Sequence, residues 1–182
     1  MSPDSGPYPV GLEFALVATP APYFTFAGWR GDLVATENPV LISLTGDRTV
    51  EAVFAEQLTV NQPTPLRWLA AYGITNDVET AVLEVGANGL PRWQSYVAGL
   101  NPNDPASRLR LELRPAADLG TLNLRWDTVT NRVYSLWQSP EAGAGFIPIP
   151  DAQTLPATVR EYQLSPGAAS DGQFYQLRVE LP

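Results

Sequence analysis

The residues best placed to do chemistry lie between Glu84 and Asp104, in the run EVGANGLPRWQSYVAGLNPND. A calcium loop needs hard oxygen donors at its first, third and fifth places, a glycine at the sixth for the sharp turn, and a bidentate Glu at the twelfth. With Gly89 as the sixth place, Glu84 falls at the first, Gly86 at the third, Asn88 at the fifth and Ser95 at the twelfth. The turn is kept while the donors are thinned, because Gly86 has no side chain and Ser95 offers a single hydroxyl. Two readings follow. Glu84 and Asn88 hold a weak cation, completed by backbone carbonyls and Asp104, or Asn88-Gly89 is a turn that accepts positive φ and needs no metal. We expect the second: a loop that has lost its metal, with no cofactor and calcium as the open alternative.

What the chain lacks narrows the chemistry further. There is no Cys and no His, and all 11 basic residues are Arg. That excludes a thiolate nucleophile, a disulfide, an imidazole base, the usual zinc ligands, a P-loop lysine and a Schiff base. Carboxylate pairs remain, and Asp32, Glu37, Asp47, Asp127, Asp151 and Asp171 all read as turn or loop residues. No spacing among them singles out two that could flank a glycosidic bond. The net charge of −8 leaves no basic footprint for nucleic acid or an anionic membrane. No apolar run approaches the roughly 18 residues of a membrane helix, and the opening SPDSGPYP lacks a signal peptide's pattern. We therefore expect no enzyme, no nucleic-acid partner and no membrane insertion.

These residues must be positioned by their flanks, and both flanks alternate with the period of strands. Residues 10–58 carry Leu12, Phe14, Leu16 and Ala18 in alternation, then YFTFAGW broken at Gly28, then VLIS and VEAVF across Thr45, Gly46, Asp47 and Arg48, which reads as a hairpin. Residues 1–9 read as a disordered or linking N-terminus. After a polar linker, Thr64 as N-cap and Pro65 in the first turn open a short helix, LRWLAAYG, closed by Gly73. LPRWQSYVAGL reads as a second helix with Pro91 in its first turn and Gly99 at its end. From Arg108 onward come RLRLELR, TLNLRW, RVYSLWQS, FIPIP, TVREYQL and QFYQLRVEL, spaced as in a β-sandwich.

Three stretches carry resemblances. Residues 10–55, through ATPAPYFTFAGWRG, ENP and GDRTVEAVF, resemble the bacterial repeat related to internalin B-repeats. This implies a β-grasp-like module of surface proteins, here without its usual glycine-rich first strand and so with an open edge. The middle, TPLRWLAAYGI and GANGLPRWQSYVAGLNPNDPASRL, is similar to thrombospondin type 3 and dockerin-like calcium-loop segments. That likeness implies ligand positions at Glu84, Gly86, Asn88 and Ser95, then Asn101 and Asp104. The ending, LRWDTVTNRVYSLWQSPEAGAGFIPI and DGQFYQLRVELP, resembles the fibronectin-like terminal domain of secreted bacterial proteins.

The expectation is a mostly-β chain: a β-grasp-like module over 10–58, a two-helix connector with a degenerate calcium loop over 59–106, and a β-sandwich over 107–182. Its function is read as non-catalytic, structural or adhesive, in an extracellular or cell-surface protein. Partners are other domains of a longer protein or copies of itself joined by strand addition. The alternative is a carbohydrate-binding accessory module of a secreted hydrolase that binds glycans through exposed aromatics. Trp29, Trp68, Trp93 and Tyr96 are the candidates for aromatic binding or interdomain packing, with core the expected place of Trp29, Trp126 and Trp137.

Overall fold

A computed structural model of the chain describes residues 6–117, 121–141, 145–164 and 173–182, and within them apolar alternation becomes strand in both flanks of the loop. The chain is mostly β, and among the described residues there are three short α-helices. It divides into two compact units, Met1–Val82 and Leu83–Pro182, so the boundary falls inside the segment read as a connector. Residues 1–5 of the expected N-terminal linker lie outside the described residues.

Unit 1 contains β1 (Glu13–Leu16), β2 (Phe24–Gly31), β3 (Val40–Ser43) and β4 (Val50–Glu56), then α1 (Leu66–Ala71) and α2 (Val78–Ala81). The expected hairpin between β3 and β4 is not what forms. β3 pairs antiparallel with β1, and β4 pairs antiparallel with β2. The reason lies at the turn. Thr49 N donates to Asp32 Oδ2 at 2.7 Å, Asp32 N donates to Thr49 O at 2.8 Å, and Arg48 donates to Asp32 O at 3.1 Å. These bonds tie the chain to the end of β2, so it leaves along β2 instead of folding back on β3. Gly31 makes this approach possible: its φ is +96°, and a Cβ there would press into the Thr49 carbonyl.

The core of unit 1 is Leu16, Ala18, Trp29 and Ile42, flanked by Phe14, Phe26, Val40 and Val50. Trp29 is 3% exposed and donates Nε1–H to Glu37 O at 2.8 Å, so its one polar atom is satisfied. The neighbouring Asn38 clamps Ala18: its Oδ1 accepts from Ala18 N at 2.9 Å and its Nδ2 donates to Ala18 O at 2.6 Å.

α1 starts at Pro65 without a side-chain cap. Thr64, expected as that cap, instead closes the linker: its N donates to Thr59 Oγ1 and its hydroxyl to Gln62 O. α2, which the sequence reading did not assign, is too short to show helical periodicity. It is held by Glu79, whose carboxylate accepts from Val60 N and Asn61 N.

Unit 2 contains α3 (Arg92–Ala98), β5 (Leu111–Pro115), β6 (Leu122–Trp126), β7 (Val133–Ser139), β8 (Ile147–Pro148), β9 (Leu155–Pro156), β10 (Glu161–Gln163) and β11 (Phe174–Glu180). One sheet runs β10-β6-β5; the other runs β11-β7-β8, with β9 also on β7. Every stretch expected from Arg108 onward contributes a strand, and the two-residue β9 is additional. Leu124 and Trp126 from β6 join Tyr134 and Leu136 from β7, with Ile149, Ala152 and Leu164, in one buried cluster. The Tyr134 hydroxyl accepts from Val129 N at 2.7 Å. Trp126 is buried as expected. Trp137 is not in that cluster: the period of two turns it away from Tyr134 and Leu136, and the Arg178 guanidinium lies 3.6 Å from its ring centroid. Among the described residues no helix is long and apolar enough to cross a membrane.

Candidate functional site

The loop at Glu84 closes on itself as a miniature hairpin. Gly86 N donates to Leu90 O at 2.8 Å, Arg92 N donates to Glu84 O at 3.0 Å, and Val85 bridges Pro91. α3 then ends on Gly99 in the left-handed region. Gly99 N donates to Tyr96 O and Leu100 N to Ser95 O, the paired bonds of a Schellman cap. Arg132, from the β6–β7 connection, donates to the Tyr96 and Val97 carbonyls and lies over the Tyr96 ring at 5.3 Å. A cation at a helix C-terminus also complements the helix dipole. The loop and helix are therefore held from both ends.

Each place in the calcium frame has a partner of its own. At the first, Glu84 Oε2 lies 2.5 Å from Arg92 Nη1, so the protein's own guanidinium sits on that carboxylate. At the third, Gly86 packs against Pro102, and a Cβ would meet the Pro102 carbonyl oxygen at 2.5 Å. At the fifth, Asn88 is buried; its Oδ1 accepts from Leu90 N at 3.1 Å and its Nδ2 donates to Ser95 Oγ at 2.9 Å. Ser95, at the twelfth, is fully buried and donates onward to Pro91 O. The fifth and twelfth places are thus joined directly, where a calcium loop joins them through the ion.

Asp104 belongs to a separate turn. Its Oδ1 accepts from Ala106 N at 2.8 Å, while Asn101 Oδ1 accepts from Asn103 N at 2.9 Å. Among the described residues no three acidic side chains gather at one point. This donor set does not fit a calcium ion: two carboxylates are engaged elsewhere, the amide is turned toward Ser95, and the third place has no room for a donor.

The aromatic candidates separate. Trp29 fills the core of unit 1. Trp68 is half-buried and meets Tyr72 edge-on, with ring centroids 4.8 Å apart. Trp93 is half-buried in a groove of about 750 Å³ between α3 and β11, and Tyr96 lies under Arg132. The described ring pairs meet at 40° to 74°, so none makes the flat platform of a sugar-stacking face. Of the loop carboxylates, Asp32 is engaged with Thr49, and Asp171 lies outside the described residues.

Sequence reasoning missed the three arginines that organise this region: Arg92, Arg132 and Arg178. One signal was present. Arg92 stands at the ninth place of the frame, where a cationic side chain opposes a metal and suits the Glu84 carboxylate.

No protein-family model matches the chain, and neither a curated protein nor a solved structure matches it at a significant level.

Proposed function

We propose that this chain is a non-catalytic structural and adhesive segment of a secreted or cell-surface bacterial protein, its partners being neighbouring domains or further copies of itself. One observation carries the reading. The only stretch whose spacing suggested cofactor chemistry is closed by internal bonds, Glu84 to Arg92 and Asn88 to Ser95, and so acts as a rigid element of unit 2. The composition supports the absence of catalysis, since the chain has neither Cys, His nor Lys. A β-grasp-like arrangement for unit 1 and a sandwich for unit 2 belong to this proposal.

Copies join by strand addition at open sheet edges. Among the described residues β1 and β3 pair only with each other, and Leu41 on β3 is 76% exposed. Light scattering of the purified chain over a concentration series, with calcium and with a chelator, tests this. Calcium-indifferent self-association is expected; a strictly monomeric chain would remove the assembly role.

The second reading, a carbohydrate-binding accessory module, is favoured by the groove beside Trp93. Glycan-array binding that is lost in Trp93→Ala would promote it above the first.

A further inference from the structure

Asn88-Gly89 is the only Asn-Gly pair in the chain, and it is the dipeptide from which a thermolabile asparagine most readily loses its amide. Glycine carries no Cβ to hinder its own nitrogen, so that nitrogen can reach the side-chain carbon of the residue before it. In the reaction Gly89 N gives up its proton and bonds to Asn88 Cγ, the Cγ–Nδ2 bond breaks, and ammonia leaves carrying that proton. Water then opens the resulting cyclic imide. Addition at Cγ gives aspartate on an unchanged main chain. Addition at the main-chain carbonyl carbon gives isoaspartate, with the chain routed through Cβ.

The closed loop opposes this chemistry at each atom it needs. The Gly89 N–H, whose proton must leave, donates to Gly86 O at 3.0 Å. Asn88 Nδ2, which must gain a proton to depart, donates to Ser95 Oγ at 2.9 Å, and the Ser95 hydroxyl directs its own proton to Pro91 O at 3.3 Å. Asn88 is 4% exposed, so water and base are kept from Cγ. One contact suits the reaction: Leu90 N donates to Oδ1 at 3.1 Å, where negative charge gathers as the nitrogen attacks. With the nitrogen and the leaving group both held, it has nothing to assist.

We propose that Asn88 is a modification site gated by the loop. The amide is kept while Gly86 and Ser95 hold its surroundings, and is hydrolysed through the imide when the loop opens. The step is one-way. Isoaspartate moves Gly89 N off Gly86 O and breaks the register that joins Gly86 N to Leu90 O. Aspartate brings a carboxylate where Ser95 Oγ had received an N–H. A chain whose loop has opened is thereby marked and does not close into the same loop.

The test follows Asn88 in the full chain at mildly alkaline pH, folded in buffer and unfolded in urea, by peptide mapping in a mass spectrometer with isoaspartate scored by fragmentation. In urea Asn88 is expected to convert ahead of Asn61, Asn123 and Asn131, which precede bulkier residues. Folded, it should convert roughly tenfold or more slowly, because opening must break the bonds to Gly86 and Ser95. This comparison needs no variant. Ser95→Ala, with circular dichroism to check the fold, removes the acceptor of Nδ2: its folded rate should rise several-fold while its rate in urea stays that of wild type. In the isolated isoaspartate form the Gly86 and Arg92 amides should lose exchange protection. Equal rates in buffer and in urea would overturn the gate, as would a folded Ser95→Ala that converts no faster than wild type. An isoaspartate chain with wild-type amide protection would overturn the one-way step.

Discussion

The strand core of unit 1 gathers three buried apolar residues, Leu16, Ala18 and Ile42, around a single indole, whereas the core of unit 2 draws seven buried residues from its strands and the segments between them and places its largest, Trp126 and Tyr134, on different strands. The two also close differently. Unit 1 depends on residues whose types are hard to exchange: Gly31 under the Thr49 carbonyl, Trp29 donating to Glu37 and Asn38 clamping Ala18. Unit 2 is pinned by arginines reaching across from neighbouring segments: Arg92 to Glu84, Arg132 to the end of α3, and Arg178 onto Trp137. The lesson is one of vulnerability. Stability concentrated in one side chain is lost with it, and stability spread over several strands and several arginines is lost in small steps.

The largest effect should therefore be in unit 1. Trp29→Ala removes the centre of the core together with its hydrogen bond and is expected to cost about 3–5 kcal/mol, read as lost amide-exchange protection in β1 to β4 while β6 and β7 stay protected. A cost under about 1 kcal/mol in denaturant titration would break the comparison, since the core could then not be centred on the indole.

Next comes Gly86→Asp, which nominally returns a ligand to the third place of the calcium frame. The added Cβ meets the Pro102 carbonyl, so a loss on the order of 2 kcal/mol is expected from overpacking, with no calcium response in calorimetry. Calcium binding by this variant would show that the loop can open.

Glu84→Gln should do less. Its partner Arg92 is largely covered, but the Glu84 side chain is 56% exposed, so the pair is worth at most about 1 kcal/mol and fades with salt. A larger, salt-insensitive loss would mean that unit 2 is as concentrated as unit 1.

The smallest effect is one of pH. Without His or Cys, stability should be nearly flat between pH 6 and 8. Burial pushes the Tyr175 phenol up from its ordinary 10.0, so the fold favours the neutral ring. That contribution is complete below pH 10 and is lost as pH rises from there through the higher folded value. Tyr175→Phe should flatten the alkaline limb of the stability curve.

Much of this fold was legible. Alternation located the strands of both units, and Pro65, Gly73, Pro91 and Gly99 punctuated α1 and α3 where they form. What escaped was pairing. The turn after β3 has hairpin chemistry, yet Asp32, distant in sequence, captures Thr49, and no local signal records that. α2 and β9 are too short for a period to show. Trp137 was read by type, and the phase of Tyr134 and Leu136 along β7 decides against it. At the loop, the frame could be read from Gly89 and the loss of donors from Gly86 and Ser95. The link from Asn88 to Ser95 and the packing of Gly86 on Pro102 could not, because both depend on how α3 and the Asn101 turn return to the loop.

The central claim is that the loop from Glu84 to Ser95 is held by its own side chains. The most direct test is the melting temperature of wild type and Asn88→Ala, each in millimolar calcium and in chelator. We predict that wild type melts identically in both. Asn88→Ala should lose about 1–3 kcal/mol in both, because Leu90 N and Ser95 Oγ lose a buried partner. A wild-type melting temperature that rises with calcium, and no longer does so in Asn88→Ala, would contradict the account and make this loop a metal site.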